Sequence, residues 1–544
     1  MIAVKRISGH IVDVSRGRIY KGTIVINGNK IEAVYEDETI RADGCILPGL
    51  IDAHIHIESS LLVPSAFAHL AVCHGTVAAV SDPHEIANVL GMAGIDYMIE
   101  DGRRSPLKFY FGAPSCVPAT AFETSGAVLD AGCIETLLQR DDIRYLGEMM
   151  NFPGVVYHES GVMAKIAAAR RCGKPVDGHA PVLSGADLAE YVGAGIATDH
   201  ESLTREEAQE KIALGMKILI REGSAAKNFD ALAALIDLYP EQCMFCSDDR
   251  HPDDLLRGHI NLLVKRALDR GCNLMNVLRC ACVNPVLHYG LDVGLLRTGD
   301  DADFIVVDSL ENFQVLKTVI RGVTVMEDGR STFPKARPNV LNSFKTGPKK
   351  TSDFTVRRQG DRVRVIEAFN GQLVTGQSIE PLPPGCEFVT ADLGRDLLKI
   401  AVVNRYRDAS PAVALIRNFG LKQGAIASSV AHDSHNIVAV GVTDEDLNRA
   451  VNALIREGGG LAAVSGDDTD VLPLPIAGLM SADDGEVVAC DYERLNQKAK
   501  AMGSTLDAPF MTLSFMSLLV IPSLKLSDRG LFDGNRFEFV SLFA

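Results

Sequence analysis

Between residues 50 and 247 the chain repeats one pattern eight times, a short apolar segment followed by a stretch compatible with a helix. Short apolar runs bounded by turn residues are typical of buried strands, and their alternation with helices favours parallel β/α units. Eight such units predict a TIM-type barrel, whose chemistry lies at the carboxyl ends of the strands. The predicted strands are 50–56, 76–81, 108–112, 143–148, 175–179, 195–199, 217–220 and 242–247.

Both flanks of the predicted barrel contain short alternating apolar runs between glycines, which favour antiparallel strands. We expect residues 1–47 and 298–335 to pair in one small β-sheet domain beside a barrel of residues 48–297. A linker rich in proline follows, and residues 350–544 form a further domain. The predicted fold class is therefore α/β, a distorted (β/α)8 TIM-type barrel with a flanking small β-sheet domain and a separate C-terminal α/β domain.

Composition limits the partners of this chain. The net charge of -16 disfavours nucleic acid, which requires a concentrated basic face, and leaves a small neutral or cationic substrate. The start lacks an apolar signal core, and the apolar run at 509–522 is too short to span a bilayer, so no membrane contact is expected. Twelve scattered cysteines without a signal peptide indicate reduced thiols and a cytoplasmic protein. Cys243 and Cys246 would point to opposite faces of a strand, which favours neither zinc binding nor redox chemistry.

Histidines and carboxylates occur at the ends of several predicted strands. His54 and His56 share one face of the first strand, so both imidazoles can reach one metal ion. Four further strand ends supply Glu148, His179, His200 and Asp248. Four histidines and two carboxylates suit two divalent ions, Mn, Fe or Zn, better than one structural zinc. The sequence therefore predicts a binuclear metal centre at the carboxyl ends of the barrel strands.

These residues resemble the amidohydrolase superfamily. Its mark is a first strand of the form Pro-Gly-hydrophobic-Ile-Asp-x-His-x-His, found here at 48–56, with single histidines after strands five and six and an aspartate after strand eight. Many binuclear members carry a carboxylated lysine on strand four, whereas residues 143–148 contain no lysine and Glu148 offers a carboxylate directly. The resemblance implies six metal ligands, with Glu148 as the bridge between the ions: His54, His56, Glu148, His179, His200 and Asp248.

More specifically, the chain resembles the bacterial adenine deaminase family over its full length. The segments that carry this resemblance are 81–89, 147–151, 246–252, 431–436 and 526–531. The resemblance implies hydrolysis of adenine to hypoxanthine and ammonia in purine salvage, on two divalent ions for which Mn or Fe is favoured over Zn. It also implies a homo-oligomer, which we expect to be a dimer.

The resemblance also implies two catalytic carboxylates. Asp248 would accept the proton of the nucleophile, and Glu85 would protonate a ring nitrogen or assist the departure of ammonia. Glu85 could also be the acidic residue of a helix first turn, although the resemblance favours catalysis, and the two roles are compatible. Four neighbours of these motifs could support the site, although no spacing assigns their roles: His84, Glu201, Asp249 and His251.

Other interpretations remain open from the sequence alone. His432 and His435 could cover the site or bind an additional metal, although their polar neighbours favour a simple loop. The enzyme could instead act on another heterocycle, such as guanine or an aminotriazine, or on a cyclic amide, which the missing lysine disfavours. A barrel that kept its metals but lost turnover, and acts as a scaffold, is the non-enzymatic alternative.

Overall fold

The computed structural model describes residues 4–544, so residues 1–3 of the predicted small domain lie outside it. The chain divides into two compact units. The barrel unit comprises the chain through Pro83, together with Asp96–Ser115 and Asp130–Arg337. The C-terminal unit comprises His84–Ile95, Cys116–Leu129 and Pro338–Ala544.

The barrel unit begins with four strands of a small sheet. They are β1 (Lys5–Asp13), β2 (Arg18–Asn27), β3 (Lys30–Glu36) and β4 (Cys45–Pro48). The eight barrel strands follow as β5 (Leu50–Ile55), β6 (Thr76–Ser81), β7 (Lys108–Ala113), β8 (Ile143–Met149), β9 (Val176–Gly178), β10 (Thr198–Asp199), β11 (Lys217–Arg221) and β12 (Cys243–Cys246). The chain then returns to the small sheet with β13 (Phe304–Val307), β14 (Val315–Ile320), β15 (Val323–Glu327) and β16 (Arg330–Ser331).

Fourteen helices accompany the barrel strands. They are α1 (Pro64–Ala71), α2 (His84–Leu90), α3 (Met92–Gly102), α4 (Ala131–Leu138), α5 (Phe152–Val156), α6 (Ser160–Arg171), α7 (Gly185–Gly193), α8 (Arg205–Ala213), α9 (Phe229–Leu232), α10 (Leu235–Leu238), α11 (Pro252–Arg257), α12 (Ile260–Asp269), α13 (Leu274–Leu278) and α14 (Asn284–Tyr289). Of these, α2 belongs to the C-terminal unit, as does the start of α3.

The barrel strands run parallel in two sheets, β5 to β9 and β10 to β12. Single parallel bridges, Val176 to Ile196 and Ile55 to Asp248, join these sheets and close the barrel. Every residue of β5 and β6 is buried, as expected for strands covered on both faces. The predicted distorted (β/α)8 barrel is confirmed.

The small sheet draws strands from both flanks of the barrel. Its order is β16-β15-β14-β13-β4-β1-β2-β3, in which β4 pairs with β1 in parallel and with β13 antiparallel. Ile11, Ile24, Ile46 and Phe304 form part of its buried apolar face. Strands that precede and follow the barrel in the chain therefore lie in one sheet.

The C-terminal unit contains the remaining strands and helices. Its strands are β17 (Val356–Arg357), β18 (Arg362–Ala368), β19 (Thr375–Pro381), β20 (Phe388–Val389), β21 (Leu397–Val403), β22 (Ala412–Arg417), β23 (Ala425–Ser428), β24 (Ile437–Gly441), β25 (Gly460–Ser465), β26 (Asp468–Pro473), β27 (Leu524–Ser527), β28 (Gly530–Asp533) and β29 (Glu538–Phe539). Its remaining helices are α15 (Asp444–Glu457), α16 (Gly485–Ala501) and α17 (Pro509–Ser514). Eight strands form its main sheet, in the order β19-β18-β22-β21-β24-β23-β25-β26.

Helix α15 shows why this unit has a core of its own. Thr443 caps its first turn by accepting a hydrogen bond from the Asp446 N–H, and Gly458 ends it in the left-handed conformation at φ 74°. Apolar residues at helical spacing, among them Leu447, Val451 and Leu454, are fully buried in the core with residues of the main sheet.

Two segments within the predicted barrel domain, His84–Ile95 and Cys116–Leu129, belong to the C-terminal unit. Their polar side chains bond there: the Thr124 hydroxyl donates to Asp528 at 2.7 Å. The predicted barrel limits of 48–297 therefore differ from the observed division at these segments, because a local strand and helix pattern carries no signal of such distant partners. Among the described residues, none of the helices combines the length and the apolar character required to cross a bilayer.

Candidate metal centre

His54 and His56 lie at the carboxyl end of β5, and both are buried. Their Nε2 atoms are 3.2 Å apart. His56 Nδ1 lies 3.0 Å from the carbonyl oxygen of Asp82, which only accepts, so Nδ1 carries a hydrogen and Nε2 is the atom directed toward His54. Burial, and then the charges of His200 and His56, lower the pKa of His54 well below its ordinary value. Both imidazoles therefore direct Nε2 toward the same point.

Glu148, near the end of β8, faces histidines with both carboxylate oxygens. Its Oε1 lies 3.2 Å from His56 Nε2, while its Oε2 lies 2.8 Å from His179 Nδ1 and 3.2 Å from His200 Nε2. Burial alone would raise the pKa of Glu148, but these histidines hold it well below its ordinary value. An ionised carboxylate with one oxygen toward each set of histidines has the geometry that a bridge between two ions requires.

Asp248 follows β12 and adopts a left-handed backbone conformation with φ 54°. Aspartate tolerates this region better than most residues, and such outliers often occur at functional sites. The conformation places Oδ1 at 3.2 Å from His56 Nε2 and 3.7 Å from His54 Nε2. Asp248 therefore joins the two histidines of the first strand across the closure of the barrel.

The spacing of these atoms fits metal coordination. Ligand atoms that each lie about 2.1 Å from one ion are about 3.0 to 3.5 Å apart in octahedral or tetrahedral geometry. Ligand atoms of His54, His56 and Asp248 lie within 4.8 Å of one another, and so do those of His54, Glu148 and His200. Buried imidazoles and carboxylates are also the ligand types that Mn, Fe and Zn accept. The structure brings all six predicted ligands together, while their roles as ligands stay a prediction.

A network of buried hydrogen bonds holds the first and last strands in register. Asp52, two residues before His54, accepts from the N–H groups of His54 at 3.3 Å and Ser247 at 3.1 Å. His259 Nε2 lies 2.8 Å from the same carboxylate. Asp52 thus positions the backbone on both sides of the strand pair that carries three of the predicted ligands.

Lys211 performs a similar role on the opposite side of the barrel. It is fully buried on α8 and donates to Asp199 Oδ2 at 2.9 Å and to the carbonyl oxygen of Ala180 at 2.8 Å. These residues are the immediate neighbours of His200 and His179 in sequence. Lys211 therefore links the two loops that present these histidines.

Arg221, at the end of β11, is a buried residue of the site that sequence reasoning missed. Its guanidinium donates to both carboxylate oxygens of Glu201 and to Asp248 Oδ2. Burial would raise the pKa of Asp248, but Arg221 and then His56 hold it well below its ordinary value. The predicted seventh strand ends at residue 220, one residue before Arg221. A charged residue directly after that apolar run is the sequence signal that could have identified Arg221 as part of the site.

The other predicted residues of the barrel unit have partners of several kinds. Glu201 contacts His200 at 3.3 Å, and His179 at 3.7 Å, in addition to Arg221. The carboxylate of Asp249 accepts a hydrogen bond from Ser59, and the backbone N–H of His251 donates to Ser224. Cys243 and Cys246 are buried free thiols on β12.

Glu85 lies in the first turn of α2, in the C-terminal unit, so the predicted helix position is present. Its carboxylate is buried and hydrogen bonded to His432 and His435. The expectation of a simple polar loop for these two histidines is incomplete, because both are buried, with exposures of 2% and 0%. Their bond to a residue about 350 positions away leaves no trace in local sequence.

Two family models match separate parts of the chain. The amidohydrolase family model matches residues 45–325, and the model of the adenine deaminase C-terminal domain matches residues 372–538. A solved β-aspartyl dipeptidase from Fervidobacterium islandicum is 16% identical, with a TM-score of 0.47, over 61% of this chain and 99% of that one.

Curated relatives match over nearly the whole chain. The adenine deaminase of Salinibacter ruber is 56% identical over 99% of this chain and 98% of its own length. The adenine deaminase of Methanosarcina barkeri is 54% identical over 98% of this chain and 99% of its own length. The adenine deaminase of Borreliella burgdorferi is 48% identical over 98% of this chain and 99% of its own length. The chain belongs to the amidohydrolase family and, within it, to the adenine deaminases.

Proposed function

We propose that this protein is an enzyme that hydrolyses adenine to hypoxanthine and ammonia. The observation that carries the proposal is the full-length similarity to adenine deaminases, at 48% to 56% identity. The convergence of four histidines and two carboxylates at one end of the barrel supports it, since a scaffold has no need to retain such a set.

The six converging side chains would hold two divalent ions, with Glu148 between them. The resemblance to the adenine deaminases leads us to favour Mn or Fe over Zn. A site of nitrogen and oxygen ligands accepts several divalent ions, and availability decides among them. When bound, such ions lower the pKa of water toward neutrality and so supply a nucleophile at neutral pH.

The reaction transfers two protons from water to the purine, one to a ring nitrogen and one to the departing amino group. Each proton transfer needs a side chain that is ionised before the reaction, takes up the proton from water and then gives it to the purine. Asp248 meets this condition, since Arg221 stabilises its charge and its other oxygen faces His54 and His56. We assign Asp248 as the acceptor of the first proton.

Glu85 is our candidate for the second carrier. It follows Asp82 by three residues, and the carbonyl oxygen of Asp82 accepts the hydrogen bond of His56. Its segment, residues 81–89, is one of those that resemble the adenine deaminases. We assign it to protonation of a ring nitrogen or of the departing amine.

The test is an assay of adenine deamination, measured as loss of adenine absorbance and release of ammonia. Protein reconstituted with Mn(II) or Fe(II) is compared with a chelated control, and adenosine and guanine are assayed in parallel. We expect turnover that depends on metal and is confined to the free base adenine.

Two negative outcomes separate the alternatives. The protein could bind two metals and turn over guanine, an aminotriazine or a cyclic amide but not adenine. That result would show that the substrate is one of these compounds instead of adenine. Two bound metals without turnover of any of these would favour the scaffold interpretation.

The setting of the enzyme is also part of the proposal. We infer a role in purine salvage in the cytoplasm, from the product of the reaction and from the twelve cysteines, which are free thiols. A homodimer is the expected assembly, and light scattering of the metal-loaded protein tests it.

A further inference from the structure

Glu85 is enclosed by residues of the C-terminal unit. Its Oε1 is hydrogen bonded to His432 Nδ1, and its Oε2 to His435 Nε2. Both histidines lie between β23 and β24, and all three side chains are at most 2% exposed. Neither carboxylate oxygen is therefore left to solvent in this arrangement.

The protonation state of His435 follows from its second partner. The N–H of Ala431 donates to His435 Nδ1 at 3.2 Å, so this nitrogen is the acceptor and Nε2 carries the hydrogen that bonds to Glu85. Burial lowers the pKa of His435 to about 4, which keeps the ring neutral at pH 7. His435 is thus a neutral donor with one fixed tautomer.

The ring of His432 is fixed by packing. It stacks on Phe515 with 4.5 Å between ring centroids and 10° between ring planes. This stacking sets the direction in which Nδ1 points, and that direction is toward Glu85 Oε1. The two histidines together fix the rotation of the carboxylate.

Other charged groups also face this carboxylate. His84 Nε2 lies 3.5 Å from Glu85 Oε1, and Asp433 supplies a carboxylate to the same cluster. Arg405 contacts the backbone of His435 rather than Glu85. Burial would raise the pKa of Glu85, but His432, His435 and His84 hold it well below its ordinary value.

We propose that His432 and His435 are positioning residues for the reaction, which fix the orientation of the Glu85 carboxylate through one hydrogen bond each. This inference rests on the proposed function of Glu85.

The first experiment replaces each histidine in the full-length, metal-loaded protein. His432→Ala and His435→Ala remove the donors, whereas His432→Asn and His435→Gln retain an N–H near the positions of Nδ1 and Nε2. We expect kcat to fall about 100-fold in the alanine variants, with two metals still bound, and to recover to within about tenfold in the amide variants. The exposed His158→Ala, whose side chain is 61% exposed, is the control.

The pH profile and a double variant separate positioning from a merely structural role. Loss of a charge-assisted donor raises the pKa of Glu85, so the acidic limb of kcat moves upward by about one to two pH units. If His435 acts through Glu85, then His435→Ala causes no further loss of kcat in a protein that already carries Glu85→Gln. An equal loss of kcat in both backgrounds, or an unmoved acidic limb, would overturn the inference.

Infrared difference spectroscopy tests the same point without any substrate. In a pH titration, the carboxylic acid band that Glu85→Gln removes should develop at a higher pH in the His432→Ala/His435→Ala variant than in the parent protein. This result stands whether or not adenine is turned over. An unchanged midpoint of this band in the folded variant contradicts the inference and leaves the proposed function intact.

Discussion

At the scale of single residues, Asp248 has different partners for its two oxygens. Oδ1 faces the histidines of β5, and Oδ2 accepts from Arg221. The arginine therefore fixes the rotation of the carboxylate while the histidine side stays available for a cation. A side chain held in this way can accept a proton without changing its orientation.

Asp248→Asn preserves the shape of this residue but removes its charge and its ability to accept a proton. We expect kcat for adenine to fall by about 10² to 10⁴ while the protein stays folded. Steady-state assays with metal analysis check this, and Asp43→Asn, at an exposed position, is the matched control. A decrease of less than tenfold with both metals bound would exclude Asp248 as the proton acceptor.

Arg221→Met leaves Glu201 and Asp248 buried without their shared counter-charge. Breaking a buried ion pair on one side costs about 3 to 5 kcal/mol, so we expect a loss of that size in the free energy of unfolding of the metal-free protein. Chemical denaturation measures it, with Arg41→Met as the control because that side chain is 88% exposed. Stability equal to that of the control would show that Arg221 is not required as the counter-charge.

The sequence pattern identified ligand candidates but not their supports. Histidines and acids at strand ends are visible because strand periodicity sets their positions. Arg221 was missed because it lies one residue beyond the predicted strand, and Lys211 because a lysine on a polar helix is usually solvated. Their roles depend on partners in other β/α units, which local pattern does not encode.

At the scale of elements, the ends of β9 and β10 are joined through helix α8. Lys211→Met would remove the donors to Ala180 and Asp199 and loosen the loops of His179 and His200. We expect affinity for Mn(II) to fall about 10- to 100-fold, as when groups that orient metal ligands are lost. Competition with a chelating dye measures it.

The control for Lys211 is Lys227→Met, which removes a half-exposed lysine of the same unit. If Lys211→Met binds Mn(II) as tightly as Lys227→Met does, α8 does not position the histidines.

Strand β27 carries a buried lysine with an altered pKa. Lys525 is fully buried and donates to the carbonyl oxygens of Leu373 at 2.7 Å and Phe515 at 2.9 Å. Burial lowers its pKa from 10.5 to about 7. Between pH 7 and about 10.5 the unfolded chain binds more protons than the folded one, so the contribution of Lys525 to stability rises with pH in this window.

Lys525→Met should remove this dependence, which has a slope of up to about 1.4 kcal/mol per pH unit. Chemical denaturation at several pH values from 7 to 10.5 compares the slopes, with the exposed Lys422→Met as the control. Parallel curves for the parent and the Lys525 variant would mean that this lysine keeps its charge on folding.

Strand and helix types were predictable at this scale because each buried strand is a continuous apolar run. Strand β6 has the predicted limits, Thr76–Ser81, whereas β10 is only Thr198–Asp199 of the predicted 195–199. Ile196 makes only a single bridge, to Val176, and Gly195 before it has a φ of 98°. This backbone conformation lies outside the β region and is a physical reason for the short pairing.

At the scale of the whole molecule, metal binding should appear as stability. Ions that bind only the folded state raise its free energy of unfolding in proportion to the logarithm of their concentration over Kd. We expect chelation to lower Tm by several degrees and Mn(II) to restore it, measured by scanning calorimetry. An unchanged Tm in protein shown to be free of metal would contradict a metal centre that contributes to folding.

The division into two units was only partly predictable. The barrel and its small sheet follow from strand patterns, since each pattern is local. The assignment of His84–Ile95 and Cys116–Leu129 to the C-terminal unit depends on pairs such as Thr124 with Asp528, whose members are 404 residues apart. No motif within either segment indicates that partner.

The small sheet has a consequence for synthesis on the ribosome. Strand β4 pairs with β13 through Cys45 to Val307 and Pro48 to Phe304. About 250 residues separate these strands, so at about 5 to 20 residues per second β4 waits some ten to fifty seconds for its neighbour. During that time its unpaired edge is open to other nascent chains, and a ribosome that stalls within the barrel prolongs the exposure.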